Sequence, residues 1–459
     1  MTVMDFISDI VPYWAERTPD RIALREASRN WTYRELNAAI SDAAAQLTAS
    51  GVRSGDRVML VCENCAAAVA LYFACTVIGV WPIVVNARMT DREIEEIHAH
   101  SGARMVIHAK PSGVAFSTVN EDCEPEAGRD IAALIYTSGT TGKPKGVMLT
   151  HANLMFVARA SGEARALSPD DRVYAVLPVS HILGLTGVLL GSLLAGACVH
   201  LASRFDPAAA LSADISVMIG TPTMYAMLAE YAQRKGTKPR GLRLISSAGA
   251  PLDAATKAAA EAALGQTLHN GYGITECGPT ITLTPLAAPR GDCGIGRLLP
   301  GVEAKLVADE LYVRSPGVMK GYYKSPEETA AAIDAEGWYR TGDLARFEND
   351  SWFISGRAKE MIIRFGFNVY PAEIEGVLNA HPSVARSAVI GRVKDGTEDI
   401  LAFIHAAPGT APTSAELAAY AAAQLAPYKR PTEIRLLAEM PMSPAGKILK
   451  SELRALAAI

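Results

Sequence analysis

Residues 132–147 read Ala132-Ala-Leu-Ile-Tyr-Thr-Ser-Gly-Thr-Thr-Gly-Lys-Pro-Lys-Gly-Val147. An apolar run of strand character gives way to hydroxyl residues, glycines and two lysines, then turns apolar again. Glycines let backbone N–H groups turn toward an anion. Thr137, Ser138, Thr140 and Thr141 add hydroxyl donors around Gly139, and Lys143 and Lys145 add positive charge. So many anion donors at the end of a buried strand predict a polyphosphate site rather than a polar surface hairpin. The site is not a G-x-x-x-x-G-K loop, because Gly139 stands too close to Lys143.

The sequence on either side alternates strand and helix patterns. Asp20–Leu24 and Trp31–Tyr33 read as a strand pair, Tyr33–Ser50 as an Ala-rich helix ended by Gly51, and Arg57–Cys62 as a buried strand. Ala66–Gly79 reads as a helix and Trp81–Val85 as a strand. A second set has strands near 132–136, 173–177, 198–201, 215–219 and 243–247. Strand–helix–strand succession predicts an α/β fold with largely parallel sheets flanked by helices. Residues 292–357, rich in Gly, Pro and aromatics, read as a β-rich subdomain of short antiparallel strands. The last hundred or so residues carry an independent α+β pattern: helix 371–379, strands 385–391 and 400–406, helix 413–424, strand 433–437 and a terminal helix after Gly446.

Composition excludes several classes. At 459 residues the chain can bury a sizeable core without disulfide or metal staples. A formal net charge of −4 leaves no electrostatic footprint for nucleic acid or anionic lipid. The stretches 66–85 and 182–198 are charge-free, but Gly79, Pro82, Gly184, Gly187, Gly191 and Gly196 interrupt them, so both read as buried core rather than membrane spans. The N-terminus lacks a basic start and apolar core, which predicts a cytoplasmic protein. Cys62-x-x-Cys65 has no second pair or spaced histidines, so the cysteines read as ordinary buried thiols.

The phosphate-loop sequence resembles that of the adenylate-forming superfamily, which holds acyl- and aryl-CoA ligases, luciferases and the adenylation domains of peptide synthetases. Further motifs follow in family order: Tyr272-Gly-Ile-Thr-Glu276, Tyr339-Arg-Thr-Gly-Asp343, Gly356-Arg-Ala-Lys359 and Pro441-Met-Ser-Pro-Ala-Gly-Lys447. The resemblance covers nearly the whole chain. It implies a large N-terminal domain over 1–357 and a small, mobile C-terminal domain over 358–459, turning about a hinge at Lys359. It also implies ATP, Mg2+ and coenzyme A as substrates and cofactors, with a monomer or homodimer as the assembly.

By the same resemblance, ATP is held by the phosphate loop, by Ala248, Gly249 and Ala250 in Ser247-Ala-Gly-Ala-Pro251, and by Tyr272 and Gly273. Thr275 donates to the α-phosphate, Glu276 holds Mg2+, Asp343 takes the ribose hydroxyls and Arg357 adds a ribose or phosphate contact. Lys447 is the catalytic lysine, able to stabilise charge that develops between carboxylate and α-phosphate in the transition state. Lys450 reads as a helix-flanking surface lysine. Gly366, in Arg364-Phe-Gly-Phe-Asn-Val-Tyr-Pro371, lines the thiol tunnel, where many relatives have a second glycine in place of Phe365. Lys429 and Arg430 either meet the CoA phosphates or form a solvated turn. Relative to the family, 301–314 lacks a long turn and 110–130 is short.

The acyl pocket is assigned to His181, Gly184, Tyr225 and Gly273, with His181 in the gating position or else a buried, hydrogen-bonded histidine. Residues 173–203 contain no Asp, Glu, Lys or Arg, so the Asp that binds an amino acid's α-amino group in peptide-synthetase domains is missing. Thr221–Leu228 is also uncharged, with Met227 near the position where malonate-activating relatives place an Arg. An apolar pocket rejects a second charge. The expectation is an ATP-dependent acid–CoA ligase for a hydrophobic monocarboxylic acid, aromatic or short-to-medium-chain aliphatic. Loading of a carrier protein's phosphopantetheine arm is the alternative acceptor reaction.

Overall fold

The computed structural model describes residues 4–117, 120, 123–138, 144–365, 367–394, 397–442 and 448–457. Two large sheets form its body. The first has seven strands in the order Gly321–Tyr322, Pro144–Thr150, Ile131–Ser138, Trp81–Asn86, Arg57–Cys62, Met105–Lys110 and Gly113–Phe116. Its inner strands, from Ile131–Ser138 to Met105–Lys110, run parallel. The second has nine: Arg297–Leu298, Thr282–Leu283, Leu268–Tyr272, Leu244–Ser247, Val217–Gly220, Arg172–Ala175, Cys198–Leu201, Ile22–Arg25 and Asn30–Thr32. From Leu268–Tyr272 to Ile22–Arg25 every pairing is parallel.

Local chemistry explains the elements between the strands. The helix Tyr33–Ala49 starts at Thr32, whose hydroxyl accepts from the Glu35 N–H while the Glu35 carboxylate returns a bond to the Thr32 N–H. Ala66–Ile78 is apolar around nearly its whole circumference and almost entirely buried, as such a helix must be. It stops at Gly79, which takes the left-handed φ of +72° that a Cβ would disfavour. No helix among the described residues is long and apolar enough to cross a membrane. The second charge-free stretch is also core, but Leu183–Leu190 winds as a π-helix before continuing as Gly191–Leu194.

The β-rich part is an antiparallel four-stranded sheet of Glu303–Val307, Glu310–Arg314, Tyr339–Glu348 and Ser351–Arg357. Its shortened connection is a two-residue turn, Ala308–Asp309, with φ of +49° and +63°. Positive φ at both turn positions matches the strand twist, which is why so short a link closes this hairpin. Beyond it lie the hairpin Ile362–Arg364/Phe367–Val369 and a sheet of Val384–Lys394, Thr397–Ala406 and Glu433–Leu437. The helices Pro371–Asn379, Ser414–Gln424 and Lys450–Ala457 cover this sheet. Its two apolar clusters draw only on residues from 362 onward.

Tyr225 ties a helix to two strands. It is fully buried, and its hydroxyl donates toward the carbonyls of Met218 (2.9 Å) and Ser246 (3.0 Å) while accepting from the Ser246 N–H at 3.1 Å. It thereby pins Pro222–Lys235 across two strands. Tyr225→Phe should cost about 1–3 kcal/mol of unfolding free energy in urea titration, since it strands buried backbone partners.

Candidate active site

In an open parallel sheet, ligands bind beyond the C-terminal ends of the strands. In this chain such ends carry Thr137 and Ser138 on the seven-stranded sheet, and the segment 176–182, Ser247–Pro251 and Tyr272–Glu276 on the nine-stranded one. The backbone of Ser138 pairs with Pro144, and that of Thr137 with Lys145. Gly139, Thr140, Thr141, Lys143, Gly366 and Lys447 lie outside the described residues.

The four-stranded sheet brings two distant motifs together. Asp343 and Arg357 are direct cross-strand partners, and Arg357 Nε lies 3.0 Å from Asp343 Oδ1. The other oxygen, Oδ2, accepts from the Tyr272 hydroxyl at 2.5 Å. The Thr341 hydroxyl fixes the local backbone by accepting from the Asp343 N–H at 3.0 Å. Asp343 is only 3 % exposed. Burial, and then the carboxylate beside it, hold the Tyr272 hydroxyl protonated well above its ordinary range. The ring of Tyr272 is thereby anchored at its tip.

Gly273 is required by space. A Cβ there would stand 1.4 Å from the Pro279 carbonyl oxygen, so the chain folds back tightly and presents Thr275 and Glu276 on the short turn Thr275–Cys277. Glu276 Oε1 accepts from the Tyr322 hydroxyl at 3.0 Å, and Tyr322 contacts the Tyr339 hydroxyl at 3.3 Å. Lys145 reaches the same neighbourhood, pairing with Glu328 at 2.7 Å beside the Tyr322 ring. Among the described residues no group of three or more His, Cys, Asp or Glu side chains could hold a metal. Glu276 thus fits a Mg2+ that takes one protein carboxylate and draws its other ligands from phosphate oxygens and water, the usual pattern for this ion.

On the opposite wall, His181 begins the approach to the π-helix. Its N–H donates to the Pro178 carbonyl at 2.9 Å, and its Nδ1 accepts from the Leu183 N–H at 3.2 Å, which places the neutral ring's proton on Nε2. Gly184 serves packing: a Cβ would lie 2.1 Å from the Pro178 carbonyl oxygen, directed into backbone and away from a pocket. Ala248 donates its N–H to the Gly220 carbonyl at 3.1 Å. Gly249 takes a left-handed φ of +84°, which favours glycine there, with Ala250 following.

The remaining positions lie past Arg357. Lys359 is exposed on the turn Ala358–Glu360, and partial burial, then repulsion from Arg357, lower its pKa. Lys450 is not the surface lysine expected. Its ammonium lies 3.1 Å from Glu360 and 2.9 Å from Glu375, tying the turn to two helices. Burial alone would raise the pKa of Glu360, but Lys450, with help from Arg357 and Arg454, holds it below its ordinary value. Phe365 adopts φ +51° and is 67 % exposed, so the conformation suited to a second glycine persists with a ring attached. Lys429 is clamped by both oxygens of Glu373, at 2.6 and 2.8 Å. Met442 and Ile448 pair as an isolated bridge, bringing together the two ends of the segment that contains Lys447.

Tyr322 and Asn64, a buried side chain bonded to the segment leading to His181, were not singled out from the sequence. Each acts through partners far along the chain, and no local pattern marks it.

Comparison with known proteins agrees with this geometry. Residues 11–323 match the AMP-binding enzyme family, and residues 373–447 match the AMP-binding enzyme C-terminal domain. A feruloyl-CoA synthase from Amycolatopsis sp is 33 % identical over 96 % of this chain and 96 % of its own. A 4-coumarate–CoA ligase 2 from Oryza sativa subsp. japonica is 32 % identical, covering 96 % of this chain and 90 % of its own. ATP-bound MatB from Rhodopseudomonas palustris superposes with a TM-score of 0.89, 28 % identity and 98 % coverage of both chains. An o-succinylbenzoate CoA synthetase from Bacillus subtilis, holding its acyl-adenylate, gives 0.85, 28 % and 97 % of both.

Two outcomes follow from the packing. Gly273→Ala should lower thermal stability by about 1–3 kcal/mol through overpacking against fixed backbone, read by calorimetry. Lys450→Met should destabilise most near neutral pH. The stabilisation that comes from the depressed Glu360 pKa is complete above the ordinary value of 4.5 and is lost as pH falls through the folded-state value. The gap between wild type and variant in urea titrations should therefore narrow as the buffer is acidified below 4.5.

Proposed function

Because this chain belongs to the AMP-binding enzyme family and joins an acid to CoA through an adenylate at the expense of ATP, we propose that its acid is a hydrophobic, aromatic monocarboxylate. The observation that carries this reading is the absence of charge from two stretches of the chain, the first of which carries His181: none on 173–203 and none on 221–228. A second carboxylate or an amino group would lose its hydration there without a partner, at several kcal/mol. The aromatic acyl groups named for the feruloyl-CoA and 4-coumarate–CoA relatives support the same choice.

In this reading a carboxylate oxygen attacks the α-phosphorus of ATP, and the bond to pyrophosphate breaks. The CoA thiol then attacks the acyl carbon, giving thioester and AMP. Tyr272 faces the adenine, Asp343 and Arg357 hold the ribose side, and Thr275 donates to the α-phosphate. Thr137, Ser138, Gly139, Thr140, Thr141, Lys143 and Lys145 surround the departing phosphates, with Lys145 leaving Glu328. Mg2+ on Glu276 supplies charge neutralisation when bound. His181 borders the carboxylate. Lys447 bridges carboxylate and phosphate only as charge develops between them.

The division into 1–357 and 358–459, with Lys359 as hinge, is supported by the separate apolar clusters beyond residue 362. Gly366 and Lys429 would then serve the CoA passage, Lys429 after release from Glu373. A monomer or homodimer in the cytoplasm completes the proposal.

Pyrophosphate release across a panel of acids, with and without CoA, tests it. Hydroxycinnamate- and benzoate-like acids should turn over best and depend on CoA for thioester formation; preference for malonate or a free amino acid overturns the reading. Lys447→Ala should lower adenylation by about 100–1,000-fold while sparing thioester formation from supplied acyl-adenylate. Lys359→Pro should do the reverse, because a fixed φ stiffens the hinge.

A further inference from the structure

Asn64 sits in the turn between the strand Arg57–Cys62 of the seven-stranded sheet and the helix Ala66–Ile78, and is 6 % exposed. Every bond of its amide reaches the other sheet. Nδ2 donates toward the carbonyls of Ala175 (2.9 Å), Leu177 (3.0 Å) and Ala202 (3.2 Å), and Oδ1 accepts from the Val179 N–H at 2.9 Å. Ala175 and Ala202 stand at or just beyond the ends of two neighbouring strands, while Leu177 and Val179 lie on the segment that leads to His181.

The residue between those two is Pro178, and its carbonyl is where the segment meets the wall of the crevice. The His181 N–H donates to it at 2.9 Å, and the backbone of Gly184 packs so tightly on it that no side chain fits. Asn64 therefore fixes the peptide on each side of the carbonyl that holds His181. An amide suits this place and an acid does not, because the carbonyls need a donor and the Val179 N–H needs an acceptor at once.

We infer that Asn64 is a positioning residue for acid binding: acting from the opposite sheet, it sets the 177–181 segment and hence the placement of His181 against the carboxylate. The inference rests on the proposed role of His181. The residue makes none of the contacts proposed for ATP, so its effect is selective for the acid.

The test uses the full-length enzyme carrying Asn64→Asp, which turns the donating edge into an oxygen facing three carbonyls, or Asn64→Ser should the first fail to fold. KM for the best acid should rise about 10–100-fold, the scale of a displacement near 1 Å, with KM for ATP within about twofold. Combined with His181→Ala, the Asn64 change should add little, because both act through one group. Hydrogen exchange at the Val179 and His181 amides should accelerate while that of the Tyr272–Glu276 turn stays protected. Equal increases in both KM values, full additivity with His181→Ala, or unchanged exchange at Val179 and His181 would overturn the inference. A wild-type enzyme that activates no acid would sink the proposed function instead, and the exchange measurement would still decide whether Asn64 holds the segment.

Discussion

A buried carboxylate between two parts of the fold is the constraint on which the rest of this structure depends. Asp343 lies on the antiparallel sheet, and its oxygens meet Tyr272, from the end of a parallel strand, and Arg357, at the end of the neighbouring strand. A carboxylate this deep is tolerable only when hydrogen-bonded and charge-matched, and removing one partner of such a group costs about 3–5 kcal/mol. That requirement fixes the β-rich sheet against the nine-stranded sheet and holds Tyr272 and Arg357 on one side chain.

Two devices shape the surroundings of these residues. Around Tyr272 and Glu276, polar side chains are locked to one another: Tyr272 to Asp343, Tyr322 to Glu276, Lys145 to Glu328. Such pre-arranged dipoles need little reorganisation when charge arrives. Around His181, backbone does the shaping: Gly184, like Gly273, allows main chain to approach main chain, and the π-helix from Leu183 carries only uncharged residues. A π-turn is wider than an α-turn and is uncommon outside functional sites.

The region from residue 358 onward is held together by charge as well as by apolar packing. Within it Lys450 bridges Glu360 and Glu375, and Lys429 holds Glu373, while its apolar clusters draw only on residues from 362 onward.

Much was legible in the sequence because it depends on local chemistry. The strand 57–62, the helix 371–379 and the strand 433–437 follow from residue patterns and bounding turns, and the order of five motifs identified the reaction class. Tertiary structure decided what depends on distant partners. The Tyr225 hydroxyl meets backbone groups of two strands, and Lys450, which reads as a solvated flank, is caught between two glutamates from separate elements. The π-helix was hidden because an all-apolar segment has no polar face to reveal its period. Asn64 stood unnoticed between two cysteines, since its four bonds all reach residues more than a hundred positions away. Composition and spacing set which chemistry the chain can perform; the packing of two sheets decided which side chains stand close enough to perform it.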